Sequence, residues 1–190
     1  MLIAAAMATS IAFGQRKPEA NVKALTVCEV MGDFSRYADR VVALVGRMER
    51  SVSLIDHYEF LSQDRCEHPI ITHGHKFRNR IQIWTDWEEG MPKPPTETPK
   101  LDVAQVAAKL SAIRKTTSLG SHGEPGIDGS RRVVPNEWAL VYGRIIKLPR
   151  FDEDCGSEGC GGDDVPLAII AESHQVRRLQ GDGTLLPDHQ

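Results

Sequence analysis

VVALVGRMER, residues 41–50, is the first clear strand in the sequence. Its first five residues are apolar and three of them are valine, which is typical of a buried β-strand. Gly46 lies inside the run, and a glycine inside a strand often marks a bulge or a sharp bend. A strand that bends at its middle can belong to both sheets of a small barrel, so this stretch predicts the first strand of such a barrel.

The segments that follow have the order expected of one fold. Four of them read as further strands: SVSLIDHYEFLS (51–62), RIQIW (80–84), WALVYGRIIKL (138–148) and VPLAIIAES (165–173). A helix over 102–115, capped by Asp102, falls between the third and fourth strands of the series. Three strands, a helix and two strands is the order of the OB-fold, a five-stranded Greek-key barrel. The sequence therefore predicts one mostly β, OB-like domain over 25–179 with one main helix and long loops.

A short N-terminal helix is predicted in front of the barrel. Thr26 and Glu29 have the spacing of a capping box, in which a threonine precedes the helix and a glutamate follows three residues later. Apolar residues at helical spacing continue to about residue 37, with Gly32 as an interruption.

The two ends of the chain read differently from its middle. Residues 1–14, MLIAAAMATSIAFG, carry no charge and resemble the apolar region of a secretory signal peptide that lacks its positive n-region; a buried N-terminal helix is the alternative. The run is shorter than the about twenty apolar residues of a membrane span. We expect a flexible lead-in over 15–24, a disordered tail over 180–190, and an exported protein, periplasmic or secreted, with no membrane span in the mature chain.

Export would place the cysteines in an oxidising compartment, where they are expected to form disulfides. The chain has four, Cys28, Cys66, Cys155 and Cys160. An even number in an oxidising compartment favours two disulfides. Cys155 and Cys160 flank CGSEGC, whose glycines let the chain curl, so we pair them with each other. This leaves Cys28 to pair with Cys66.

The stretch DRCEHPIITHGH, residues 64–75, is a candidate metal site. Cysteine and histidine are zinc ligands, and His68, His73 and His75 lie close to Cys66 in sequence. On one extended strand, however, Cys66 and His68 point to one face and His73 to the other. If Cys66 is in a disulfide it is no ligand, and the histidines are then surface residues. Zinc is therefore the alternative to a protein without a cofactor.

Two further clusters are candidates for ligand binding. The acidic loop that contains Asp152, Asp154 and Glu158 has oxygen ligands for calcium, but it lacks the final glutamate of an EF-hand and also fits a solvated hairpin tip. The basic run of Lys76, Arg78 and Arg80, with Trp84 and Trp87 nearby, suits a single-stranded nucleic acid on an OB face. A net charge of -3 argues against nucleic acid, and a solvated strand is the alternative.

One resemblance to known proteins supports the fold. The pattern Y-x-D-R-V-V-x-L-V-G-R, Tyr37 to Arg47, preceded by T-V-C-E-V, is similar to the start of small exported bacterial OB-fold-like proteins of uncharacterised function. The V-Y-G-R-I and P-L-A-I-I-A-E stretches resemble their closing strands. The resemblance covers about residues 25–175. It implies a fold and a compartment and brings no catalytic residues.

The leading functional hypothesis is an exported, non-catalytic binding module of the cell envelope. Its partner is expected to be an envelope protein, a glycan or a small ligand, held by the barrel face and by the loops 86–100 and 116–137. Catalytic motifs such as G-x-S-x-G and H-E-x-x-H do not occur. A metal-binding protein or metal-dependent enzyme that uses 66–75 is the second hypothesis, and single-stranded nucleic-acid binding is the third.

Overall fold

The structure is a computed structural model, and it describes residues 22–52, 57–85, 91–97, 100–116, 131–132, 137–148 and 165–186. Its strands are β1 Ala24–Thr26, β2 Val41–Val52, β3 His57–Ser62, β4 Ile71–Thr72, β5 His75–Lys76, β6 Arg80–Trp84, β7 Arg131–Arg132, β8 Trp138–Lys147, β9 Leu167–Ile170 and β10 Val176–Leu179. Its α-helices are α1 Val27–Gly32, α2 Phe34–Tyr37 and α3 Val103–Thr116.

Five of these strands close into a barrel. β2 pairs antiparallel with both β3 and β8, β3 pairs antiparallel with β6, β6 pairs parallel with β9, and β9 pairs antiparallel with β8. The main helix α3 follows β6 and precedes β8 along the chain. This order and closure are those of an OB-like barrel, and they confirm the predicted mostly β fold with one main helix.

The predicted bend in the first strand coincides with a change of partner. Val41–Arg47 of β2 pairs with β8, and Arg47–Val52 pairs with β3. Gly46 lies at this change. A Cβ atom at Gly46 would lie 3.1 Å from the Cβ of Leu61 and 3.2 Å from Cγ2 of Val27. An added side chain would thus be closer than ordinary van der Waals contact to both neighbours at the point where the strand passes from one partner to the other.

The helices cover two different surfaces of the barrel. The buried residues Val27, Val30 and Met31 of α1 belong to the same apolar cluster as the barrel interior. The capping box of Thr26 and Glu29 is present, and the helical segment is interrupted after Gly32, as the sequence predicts. The apolar side of α3 instead packs on the outside of β1, β2 and β8, through Val106, Leu110, Ile113, Ala43, Val45 and Leu140.

Both predicted flexible ends extend less far than expected. Ala24, placed in the lead-in by the sequence, is buried in β1, which pairs parallel with β2. Residues 180–186, placed in the disordered tail, turn back on β10: the Leu186 N–H donates to the Arg178 carbonyl at 2.9 Å, and Leu179 bridges Leu185. Short polar segments of this kind gain order from the neighbours they contact. Across the described ranges, no helix is both long and apolar enough to cross a bilayer.

Candidate binding site on the loop between β3 and β6

The loop over 63–79, called here the β3–β6 loop, is fixed at its base. The Gln63 N–H donates to the Asn79 carbonyl at 3.0 Å, which closes the loop where it leaves the barrel. Cys66 forms a disulfide with Cys28 of α1, with Cα atoms 5.1 Å apart, and this confirms the predicted pairing. The Cys28 N–H also donates to Oε1 of Gln63 at 3.2 Å. Disulfides that close a loop of this kind typically stabilise by about 2–4 kcal/mol.

The loop carries a hairpin, residues 70–77, whose inner face is buried. Ile70 and Phe77 are 7% and 2% exposed and belong to the apolar cluster of the barrel interior. The Phe77 N–H donates to the Ile70 carbonyl at 3.0 Å, next to the β4–β5 pairing. The ring of His75 meets the Phe77 ring edge to face at 4.7 Å between centroids. Because side chains alternate between faces, these contacts determine which residues point outwards.

The exposed outer face consists of Ile71 and Lys76 of the hairpin together with Arg78, which follows directly after it. Ile71 is 60% exposed and pairs across the strands with Lys76. Lys76 and Arg78 are exposed on either side of the buried Phe77. The turn uses His73 and Gly74, which both have a positive φ. Left-handed residues at both positions are typical of the tight turns that suit two-stranded hairpins. The outer face therefore combines an exposed apolar side chain with two cations.

The residues predicted as zinc ligands are not brought together. Cys66 is oxidised, His68 and His73 are exposed, and His75 packs on Phe77. Within the part of the chain that the structure describes, no three His, Cys, Asp or Glu side chains lie close enough to hold one metal ion. Because the sulfur of Cys66 is in the disulfide with Cys28, it is not available as a zinc ligand.

The predicted basic face divides into two parts. Lys76 and Arg78 are exposed on the hairpin, whereas Arg80 is 4% exposed and lies over the ring of Phe60, with its guanidinium carbon 4.6 Å from the ring centroid. Arg80 belongs to β6 and faces the neighbouring β3, where an arginine can stack on an aromatic ring. Trp84 is half-buried against the cluster of Ile146, Leu148, Ala168 and Ile170. The prediction that Arg80 joins Lys76 and Arg78 on one exposed face is therefore wrong.

Several predicted residues lie outside the described ranges. They are Trp87, the acidic-loop residues Asp152, Asp154 and Glu158, and the cysteines Cys155 and Cys160. The predicted pairing of Cys155 with Cys160 and the predicted calcium loop stay predictions.

A partly buried ion-pair group lies at the base of the loop. Arg47 of β2 contacts Asp64 at 2.7 Å and Glu49 at 3.1 Å, and all three side chains are partly buried. Because Arg47 is shared between the two carboxylates, this group keeps one negative charge, which lies partly buried at the base of the loop. Of the exposed charges of the loop, Arg65 and Glu67 offset each other, and the positive charges of Lys76 and Arg78 remain.

A second contact fixes the helix that holds the disulfide. The Glu29 carboxylate of α1 accepts hydrogen bonds from the Lys109 ammonium of α3 and from the Thr26 N–H, the latter at 2.8 Å. Partial burial alone would raise the pKa of Glu29, but these hydrogen bonds and the Lys109 charge together lower it below its ordinary value. Glu29 thus stays ionised and ties α1 to α3.

Sequence reasoning misses some of these features. The apolar run HPIITH, residues 68–73, predicts a short strand, and β4 lies within it, but the returning strand β5 was not predicted, although T-H-G-H after apolar residues has the pattern of a tight hairpin turn. The hairpin places Ile70 and Ile71 on opposite faces and makes only the first a core residue. The contact of Arg47 with Asp64 joins a strand to a distant loop and has no local signal in the sequence.

Comparison with protein-family models, with curated proteins and with solved structures finds no match to this chain.

Proposed function

We propose that this protein is an exported, non-catalytic binding module of the cell envelope and that it holds its partner on the β3–β6 loop. The loop leaves the barrel between β3 and β6, and loops on a rigid barrel are common positions for binding residues. The barrel then acts as the scaffold, and the outer face of the hairpin contacts the partner.

The export part of the proposal is supported by two independent features. The uncharged stretch over 1–14 reads as the apolar region of a signal peptide. The disulfide of Cys28 with Cys66 fits an oxidising compartment, since stable disulfides are rare in the cytosol.

The observation that carries the binding part is the exposure of Ile71. Single exposed apolar side chains are common on protein surfaces, and most have no role. Ile71, however, lies on a hairpin held by a disulfide, by buried Ile70 and Phe77, and by backbone hydrogen bonds. A side chain held in a fixed position loses little conformational entropy on binding. The cations Lys76 and Arg78 beside it add selectivity for an acidic partner.

Site-specific photocrosslinking in intact cells tests this proposal. A benzophenone amino acid is placed at position 71, and a matched variant carries it at position 103, because Val103 of α3 is also apolar and 54% exposed. We expect an adduct with an envelope component from position 71 and none, or far less, from position 103. Equal labelling from both positions, or no adduct from position 71, would contradict the proposed binding surface.

A further inference from the structure

We propose that the partner of the hairpin is the surface of an anionic lipid bilayer, an inference that rests on the proposed function and names its ligand. In this arrangement the outer face of residues 70–77 lies on the membrane. The side chain of Ile71 enters the interfacial layer, and Lys76 and Arg78 contact lipid phosphates.

The apolar part of this surface is one exposed side chain, that of Ile71. Ile71 is 60% exposed, and its two neighbours on the inner face, Ile70 and Phe77, are buried in the barrel. The hairpin therefore presents one apolar side chain at a fixed position and cannot turn it into the protein core without losing those contacts. An apolar side chain among cations is the pattern of a segment that lies in the membrane interface.

The charges have the arrangement that a phosphate layer requires. Lysine and arginine can keep their charged ends at the height of the phosphates while their apolar stems lie beside a more deeply placed residue. Lys76 faces Ile71 directly across the strands, and exposed Arg78 follows two residues later in the chain. Asp64, the acidic residue at the base of the loop, is paired with Arg47 and turned towards the barrel.

The whole chain carries a net charge of -3, so the positive hairpin is a local feature. On an anionic bilayer the acidic body of the protein is repelled while the hairpin is attracted, and this orients the molecule with the loop towards the lipid.

A lipid surface fits this face better than a folded protein does. A stable protein interface buries about 800 Å² on each partner and has an apolar centre of several residues. On the described part of the hairpin, Ile71 is the exposed large apolar side chain, with cations around it. A bilayer interface accepts a single apolar side chain, because its surface adapts to the side chain that enters it.

Vesicle sedimentation of the purified, oxidised protein tests the inference. The probes are vesicles of phosphatidylcholine alone and vesicles in which a third of the lipid is phosphatidylglycerol. We expect binding to the anionic vesicles, at least about fivefold weaker binding to the neutral ones, and loss of binding at high salt.

Two sets of variants distinguish the hairpin from the rest of the surface. Ile71→Ser and the pair Lys76→Glu with Arg78→Glu should each lower the partition coefficient at least about fivefold. The controls are Val103→Ser and the pair Lys100→Glu with Lys115→Glu, which change exposed residues of the α3 region by the same chemistry and should leave binding unchanged. Circular dichroism of each variant verifies that it is folded.

The outcomes separate this inference from the proposed function. If Ile71→Ser binds the anionic vesicles as well as the unchanged protein does, the hairpin recognises charge alone, as it would on a soluble polyanion. This result would overturn the lipid assignment. Absence of vesicle binding together with a protein adduct from position 71 in cells would overturn it too, while the binding function stands. If the protein neither binds vesicles nor forms an adduct from position 71 in cells, the binding function itself is contradicted.

Discussion

At the scale of single residues, two glycines set the path of the long strands. β8 pairs with β10 over residues 138–141 and with β9 over residues 144–147, and Gly143 lies between the two regions. Gly46 has the same position in β2, where pairing passes from β8 to β3. A Cβ atom at Gly143 would lie 2.7 Å from Cγ1 of Ile169 and would overlap the Ile170 carbonyl. Because that carbonyl is backbone, it cannot move aside without disturbing the pairing of β8 with β9.

We therefore predict that Gly143→Ala destabilises the protein. The overlap should lower the free energy of unfolding by about 2 kcal/mol or more, as overpacking of a close-packed interior does. Urea denaturation measures the change. Gly74→Ala is the control, because Gly74 has a positive φ but no atom within 4 Å of an added Cβ. The strained backbone at that position should cost only about 1 kcal/mol. A Gly143→Ala variant as stable as the unchanged protein would contradict this account of the strand crossing.

The residue scale also marks a limit of sequence reasoning. A special role for Gly46 was predictable, because a glycine inside an apolar strand usually marks a bulge or a bend, and β2 changes its pairing partner there. The buried environment of Arg80 was not predictable, because the alternation of Lys76, Arg78 and Arg80 in the sequence predicts one exposed face. Phe60, on which Arg80 stacks, lies on a different strand, and only the pairing of β3 with β6 brings the two together.

At the scale of elements, the short helix α1 depends on its contacts. It has six residues. A helix so short is not stable alone in water. Its capping box, its buried apolar side and the contact of Glu29 with Lys109 hold it in place, and it carries Cys28. The position of the β3–β6 loop therefore depends on α1, and through Lys109 on α3.

This dependence predicts a pH effect on stability. Since the pKa of Glu29 is lowered in the folded protein, its ionised form adds stability above the pKa of the unfolded chain, and this contribution is lost as the pH falls through the folded value. Glu29→Gln should cost about 1 kcal/mol at pH 7, a small figure because the carboxylate is partly exposed to solvent, and less at pH 3.5.

Urea denaturation of Glu29→Gln at the two pH values measures this difference. Glu67→Gln, a change at an exposed carboxylate of the β3–β6 loop, is the control and should have no effect at either pH. An equal loss of stability at pH 7 and at pH 3.5 for Glu29→Gln would show that its charge is not what holds α1.

The sequence predicts elements well when they are long or have local end signals. The five barrel strands, the capping box of α1 and the start of α3 at Asp102, whose carboxylate accepts from the Ala104 N–H at 2.9 Å, were all predictable. β1, β7 and β10 were not, because each is short and forms only by pairing with the edge of a longer strand.

At the scale of the whole molecule, a rigid barrel carries a loop that is fixed at two points. The fold was predictable from the order of its elements, and the pairing of Cys28 with Cys66 was predictable once export was assumed. The two faces of the hairpin were not, because they depend on where Ile70 and Phe77 find apolar partners in the barrel. The proposed binding function depends on this fixed loop and on an oxidising compartment.

The proposed function requires that the protein is exported and that the disulfide of Cys28 with Cys66 holds the β3–β6 loop in the cell. The direct test is peptide mapping by mass spectrometry of protein isolated from the cell envelope without reductant, with free thiols alkylated at lysis and a reduced sample as control. We expect a linked pair of peptides that contain Cys28 and Cys66 and no alkylated Cys66. Recovery of Cys66 mainly as the alkylated thiol, or of the protein only from the cytosol, would contradict it.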